Sequence, residues 1–463
     1  MTLALLTASV GLHDRARPGG GPVPRPSPGP PVRAGENARI PAGAAASISN
    51  SLGDVQRYPR AAARLLDDAL EPGDFALSTA LPARPRNSAG TLRTGSRARQ
   101  PSRGSAPPVL VRQVRGEIVE SEHRGHIVEV DATGSIVRVL GDPEWPVTLR
   151  STVKPFGLLA LVEAGGIDAF DLSPPELALM ASSHSGEDLH VRTLQAIYRR
   201  AGLSQGMLAC GAENAPLDAL TAARLARDGE KPGPVRHNCS GQHTSFILLS
   251  RLKDWPPDTY WQPDHPSQVA YRSAVARAFG TRPDRLVAAI DACGIQTFAF
   301  PLREVARAYA LLADPASVPT GDPRSALAGA LLRIRDAMLA NPEMVAGSRE
   351  RLDTSLMKSA PGIVISKGGA EGLRGIAVLP GGRPSGVSAG PSGMAVKIED
   401  GDGAGRAGWA AAVEALRQAG VIEGQAVRML SRYHRPSAND SHGRLAAEAV
   451  ASFDLAPVGE LFA

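Results

Sequence analysis

Two serines and two lysines stand at spacings suited to activating a hydroxyl. Ser151-Thr152-Val153-Lys154 has the form S-x-x-K, Ser183-His184-Ser185 the form S-x-S, and Lys367-Gly368-Gly369 the form K-G-G. A serine hydroxyl is a poor nucleophile until a neighbouring base takes its proton. Three positions separate Ser151 from Lys154, so on a helix both side chains lie on one face. The second serine and second lysine would complete a proton relay around the same pocket. Singly, each segment is weak: S-x-x-K also arises as a solvated helix pair and K-G-G as a turn. Taken in order, the three point to acyl transfer through a serine.

The use of lysine sharpens that reading. Of 51 basic residues only six are lysine: Lys154, Lys231, Lys253, Lys358, Lys367 and Lys397. A chain that otherwise takes its positive charge from arginine has placed lysine where a proton acceptor is needed. Arginine does not give up its proton readily, whereas a desolvated lysine does. The ordered triple also resembles the S-x-x-K, S-D-N and K-T-G signatures of serine β-lactamases and penicillin-binding proteins.

The elements that must position these groups begin well inside the chain. Residues 1–107 carry 14 Arg and no Lys against 7 acidic residues, and Pro and Gly recur in them. Runs such as Pro26-Ser27-Pro28-Gly29-Pro30-Pro31 cannot form a periodic core. Residues 1–107 are expected to be a disordered extension, or sequence upstream of the true start, with one short amphipathic helix around 61–70. The rest of the chain, with 37 basic and 39 acidic residues, has no nucleic-acid footprint. No apolar run is long enough to span a bilayer, and the first twelve residues lack a basic region of the secretory type. Cys210, Cys239 and Cys293 cannot all pair, which fits a reducing, cytoplasmic setting.

From residue 109 the pattern becomes regular. Segments 109–114, 117–120 and 126–129 alternate as strands, Asp131-Ala132-Thr133-Gly134 supplies a turn, and 135–140 returns as a strand. Ser151 sits just before an apolar helical run over 153–162, where a helix N-terminus favours developing negative charge. Ser173-Pro174-Pro175-Glu176 reads as a cap with early prolines. Segments 187–201, 217–227, 240–252, 267–279, 302–312 and 326–339 have helical apolar spacing. Strands follow at 363–366, 375–379 and 394–398, then a helix over 408–418 and a closing segment from 444. Strands first, helices in the middle and strands last predict an α/β (α+β) domain over 108–452, an antiparallel sheet flanked by helices and closed by both ends of the chain, with 453–463 as a tail.

Two further clusters hold reactive side chains: His237-Asn238-Cys239-Ser240-Gly241-Gln242-His243 and Asp291-Ala292-Cys293-Gly294. Two Cys with nearby His and Asp are zinc-ligand types, but the spacing matches neither a finger nor a ribbon. From the residues alone, buried small cysteines beside a helix cap are the favoured reading.

With these blocks assembled, the sequence resembles the asparaginase II family of serine–lysine asparaginases. The matching residues are Arg150 to Pro155, Ser183 to Glu187, Cys210-Gly211, His237 to Gly241 with His243, Asp291 to Gly294, Lys367 with Gly369 to Gly372, and Arg432-Tyr433-His434-Arg435-Pro436. The resemblance runs from about Val109 to Val450. It implies hydrolysis of L-asparagine to L-aspartate and ammonia, a serine β-lactamase/glutaminase-like fold and a homodimer. It implies Ser151–Lys154 and Ser183–Lys367 as catalytic pairs, with Ser151 the nucleophile and Lys154 its base, though the two serines' roles could be exchanged. It further implies Arg150, His243, Asp291 and Glu371 around the substrate, Arg150 facing the α-carboxylate. Relatives with zinc use two Cys and a Lys three residues after the first; Cys239 and Cys293 match, but that position holds Gln242. The serine chemistry requires no cofactor, and zinc at Cys239 and Cys293 stays open. The residues alone also leave open a glutaminase, a β-lactam-directed serine enzyme or a non-enzymatic amino-acid-binding homologue. No nucleic acid or membrane partner is expected.

Overall fold

Side chains that alternate between two cores build the main sheet. Its strands are β1 (Val109–Arg115), β2 (Ile118–Asp131), β3 (Ile136–Leu140), β7 (Val364–Gly368), β8 (Leu373–Val378), β9 (Ser392–Ile398), β10 (Ser437–Asn439) and β11 (Leu445–Ala451). Successive strand residues point to opposite faces. Ile127, Val364, Ile376, Val378, Met394 and Val396 therefore enter one apolar cluster, and Val128, Val130, Ile365, Ala377 and Ala395 the other. A computed structural model describes residues 106–383, 390–403 and 405–458. The expected extension, including the helix at 61–70, lies outside the described residues but for 106 and 107, and so do residues 459–463 of the expected tail.

The strand order is β10-β11-β1-β2-β9-β8-β7, with β3 also paired to β2, and every pair is antiparallel. Strands from near both ends of the described chain, β1 and β11, lie side by side, as the strand–helix–strand pattern predicts. Segments 117–120 and 126–129, expected as two strands, are one strand of 14 residues. Polar residues between them hide the continuity. The first half of β2 pairs with β1, and the second half is held between β9 and β3.

Helices cover both faces. Helix Leu302–Ala313 lies on β9, β8 and β2, so closely that a Cβ on Gly393 would stand 1.9 Å from the Ala306 carbonyl oxygen. Helices Leu352–Ser359 and Ala407–Gln418 feed the opposite core. The expected cap at Ser173 is a capping box with Glu176 in front of helix Pro174–Met180. The last described segment packs onto the domain: Leu455 is buried, and its N–H donates to Gln418 Oε1 at 2.6 Å.

A second, small antiparallel sheet of β4 (Pro146–Thr148), β6 (Gln296–Pro301) and β5 (Val287–Ile290) was not expected. Its strands are three to six residues long, and β5 is exposed throughout, so no alternation marks it. The small sheet delivers two parts of the site, because Arg150 and Ser151 follow β4 and Asp291 follows β5.

Candidate active site

Lys367 is placed by the period of its strand. On β7 it shares a face with Ile365, toward the helical middle, while Ser366 faces the other way. Its Nζ donates to Ser183 Oγ at 2.8 Å and to the Gly368 carbonyl at 2.6 Å. Lys154 reaches the same hydroxyl, with Nζ 3.1 Å from Ser183 Oγ. Lys154 also reaches the Ser182 carbonyl at 2.7 Å, the Asn238 carbonyl at 3.3 Å and Cys239 Sγ at 3.3 Å. Both amines and Ser183 are buried. Burial, as the largest cause, pushes Lys367 well below the ordinary lysine range; Lys154, Arg351 and Arg374 lower it further, and Asp353 opposes them. Lys367 is thereby biased toward the neutral amine.

Ser183 belongs to a wholly buried loop, 181–187, between helices Pro174–Met180 and Asp188–Ala201. Its N–H donates to the Val345 carbonyl at 3.0 Å. His184 stacks on His190, accepts from Gly186 N–H at Nδ1 and donates through Nε2 to Ser240 Oγ. Ser151 lies on the single turn Arg150–Val153, which runs directly into helix Lys154–Gly157. That turn is tied down by Tyr309, whose hydroxyl donates to the Thr152 carbonyl at 2.8 Å. Ser151 is half-buried, and its hydroxyl has no hydrogen-bond partner among the described residues. Ser151 is thus the more exposed serine, and Ser183 the buried one that receives two amines.

Beside Ser151, Arg150 adopts a left-handed φ of +46°. A non-glycine residue there costs about 1–3 kcal/mol and persists only when its surroundings hold it. Thr297 Oγ1 accepts the Arg150 N–H at 2.9 Å, and Asp291 Oδ1 accepts from its Nε at 2.7 Å. Glu371, itself at φ +58°, lies 3.9 Å from Arg150 Nη1 and is largely exposed. Arg150, Asp291 and Glu371 therefore form one charged group beside Ser151. His243 stands apart from it, fully buried on helix Ser240–Leu252. Its Nδ1 accepts from the Tyr260 hydroxyl at 2.5 Å, its Nε2 has no partner among the described residues, and burial pushes it down to about 3. It is a neutral imidazole near Cys239, His237 and Lys154.

Cys239 and Cys293 lie thiol to thiol. The hydrogen bond from Cys293 holds Cys239 well below the usual thiol range, and the same contact with burial pushes Cys293 up. Gln242 presents a buried amide whose Nε2 has no partner among the described residues. Among the described residues, no group of three or more His, Cys, Asp or Glu converges to hold a metal. Two thiols and an amide do not make up a zinc tetrahedron, since an amide is a poor zinc ligand. The set does not fit the metal, and no chemical step is assigned to it.

Sequence reasoning did not single out Arg351, Asp353, Tyr309 or Tyr260. All four are common residue types inside helices, at a helix start or in loops, and no motif marks them.

The sequence profile of the L-asparaginase II family matches residues 111–450, and the chain belongs to that family. Its antiparallel sheet between helical layers is the expected α/β arrangement. Among solved structures, the chain is similar to Mglu in its tris and glutamate form, at 14% identity and a TM-score of 0.32, covering 69% of this chain and 65% of that one. A second Mglu structure matches at 14% identity and 0.31, covering 66% and 69%. The chain thus spans just under two thirds of the first of these relatives. No curated protein sequence matches.

Proposed function

We propose that the protein is an L-asparagine amidohydrolase that releases L-aspartate and ammonia. The observation that carries this reading is the convergence of Lys154 and Lys367 on the Ser183 hydroxyl, across more than two hundred residues of chain. Family membership supports amide hydrolysis in general; the serine–lysine geometry supports this route to it.

Ser151 Oγ attacks the side-chain amide carbon and forms a bond to it. The hydroxyl proton enters the Lys154–Ser183–Lys367 chain, with Lys154 the group that receives it. As the C–N bond breaks, Ser183 hands a proton to the departing nitrogen and ammonia leaves. Water then attacks the aspartyl ester, its proton returns through the same groups, and Ser151 is regenerated. A buried lysine biased toward the neutral amine gives the chain a vacant proton site, as general-base catalysis requires. Arg150 suits the substrate α-carboxylate, because a guanidinium fork matches that group. Asp291 and Glu371 suit the α-ammonium, and His243 sets the polarity behind the pocket. Backbone N–H groups of the Ser151 turn are the candidates for stabilising the tetrahedral oxyanion.

The three cysteines are free and buried, in keeping with a cytoplasmic setting. No helix among the described residues is long and apolar enough to cross a membrane. A homodimer is part of the same proposal, and the exposed β5 edge is the surface that fits it.

The test is ammonia release from a panel of amides. L-Asparagine should be the best substrate, and Ser151→Ala should lower its turnover by about 10⁴-fold or more. Undiminished turnover by that variant would remove Ser151 from the mechanism. Glutamine is longer by one methylene, a difference worth about 10- to 200-fold in a fitted pocket.

A further inference from the structure

The start of helix Leu352–Ser359 touches Ser183 and both strand neighbours of Lys367. Arg351, just before the helix, donates from Nη2 to the Ser183 carbonyl at 2.8 Å and from Nη1 to Ser185 Oγ at 3.1 Å. Asp353, in the first turn and buried, accepts from Ser366 Oγ at 2.7 Å and from Gly368 N–H at 2.9 Å. Those two donors flank Lys367 on its strand. Arg374, from β8, pairs with Asp353 and also donates to Ser366 Oγ at 2.9 Å. Arg351 thus grips the serine loop and Asp353 the lysine strand, with only Leu352 between them.

The geometry points to Arg351 and Asp353 as a pair of positioning residues, a bracket that sets the distance between Ser183 and Lys367 and places opposite fixed charges beside that contact. This inference rests on the Ser–Lys chemistry proposed above and adds residues that touch no substrate. Its logic is mechanical first. Ser183 and Lys367 are held on separate elements 184 residues apart, and a displacement of about 1 Å at a reacting pair can cost about 10²-fold in rate. It is also electrostatic. Arginine keeps its charge at any working pH, so Arg351 disfavours an ammonium at Lys367, whereas Asp353 favours one. The charged groups facing Lys367 are Arg351 and Asp353 from the helix start, Arg374 from β8 and Lys154 from the opposite turn.

The two residues therefore push Lys367 in opposite directions, which a purely structural role would not do. With only six lysines in the chain, ¹³Cε-lysine labelling of the full-length protein allows Lys367 to be titrated by NMR, its resonance assigned by loss in Lys367→Met. Arg351→Gln should move the Lys367 titration to higher pH, and Asp353→Asn to lower pH. The acidic limb of the kcat/KM profile for asparagine should follow in each case. Both variants should lose about 10- to 100-fold in kcat. Arg351→Lys, which keeps the charge without the fork, should lower kcat while leaving the titration in place. Shifts in the same direction, or none, alongside wild-type asparaginase activity would overturn the bracket and leave the proposed function standing. A wild type inert on every amide would overturn the function, while the NMR titrations would still decide the bracket. If Asp353→Asn does not fold, the half-buried Arg351 decides alone: an upward shift in Arg351→Gln with none in Arg351→Lys supports the bracket, and any other pattern overturns it.

Discussion

Ser183 receives both amines, while Ser151 is the more exposed hydroxyl. In the proposed mechanism that difference in burial assigns the relay to Ser183 and the attack to Ser151. Lys367 carries the largest consequence for pH. In the unfolded chain it holds its proton up to about 10.5, whereas in the folded protein it loses that proton earlier. Between those limits the unfolded state binds the extra proton, so stability rises with pH across the window. Below it the full cost of burying the lysine remains. Lys367→Met should therefore melt at a higher temperature than the wild type at pH 7, with the gap closing toward pH 10.5, while kcat falls by about 10²–10⁴-fold. Melting curves at several pH values, set beside turnover, check both signs. A variant that melts lower at pH 7 would show that the Ser183 contact outweighs the burial cost.

The site is assembled by elements that meet at close range, and glycine permits the closest approach. A Cβ on Gly375 would stand 2.1 Å from the Tyr309 ring. Tyr309 in turn holds the Thr152 carbonyl next to Ser151. Gly375→Ala should thus displace Tyr309, cost about 1–3 kcal/mol through overpacking, and lower kcat as well as stability. The check is a melt and a turnover assay on the same preparation. At this scale the sequence was partly legible. S-x-x-K, S-x-S and K-G-G pointed to the four residues of the proposed relay because local spacing and residue scarcity single them out. The S-P-P-E cap and the helical middle were legible because capping and 3.6-residue periodicity are local. The sheet of β4, β5 and β6 was not, since strands this short lack a period. Nor were Arg351 and Asp353, whose meaning arises only when residues far apart in sequence come together.

At the scale of the molecule, helices pack on both faces of the main sheet, whereas β5 is exposed along its whole length. Val287, Ala288, Ala289 and Ile290 are all exposed, with Val287 at 68% and Ile290 at 60%. They form the edge of the small sheet, since among the described residues β5 pairs only with β6. An uncharged apolar edge offers unpaired backbone groups to another strand, and in the proposed homodimer the natural occupant is the same edge of a second copy. Val287→Lys with Ile290→Lys would place like charges across that contact. Sedimentation should show the wild type as a dimer and the double variant shifted to monomer. A monomeric wild type, or an undisturbed dimer in the variant, would move the interface elsewhere. Because β5 leads straight into Asp291, loss of the contact should also weaken asparagine binding.

Passage of an aspartyl group through Ser151, with Ser183 and the two lysines carrying its protons, is checked by trapping the covalent intermediate. Enzyme turning over L-asparagine would be quenched in acid, digested and examined by mass spectrometry. The aspartyl group should appear on the peptide containing Ser151 and be absent in Ser151→Ala. An aspartyl group on Ser183, or none on either serine under conditions of steady turnover, would contradict it.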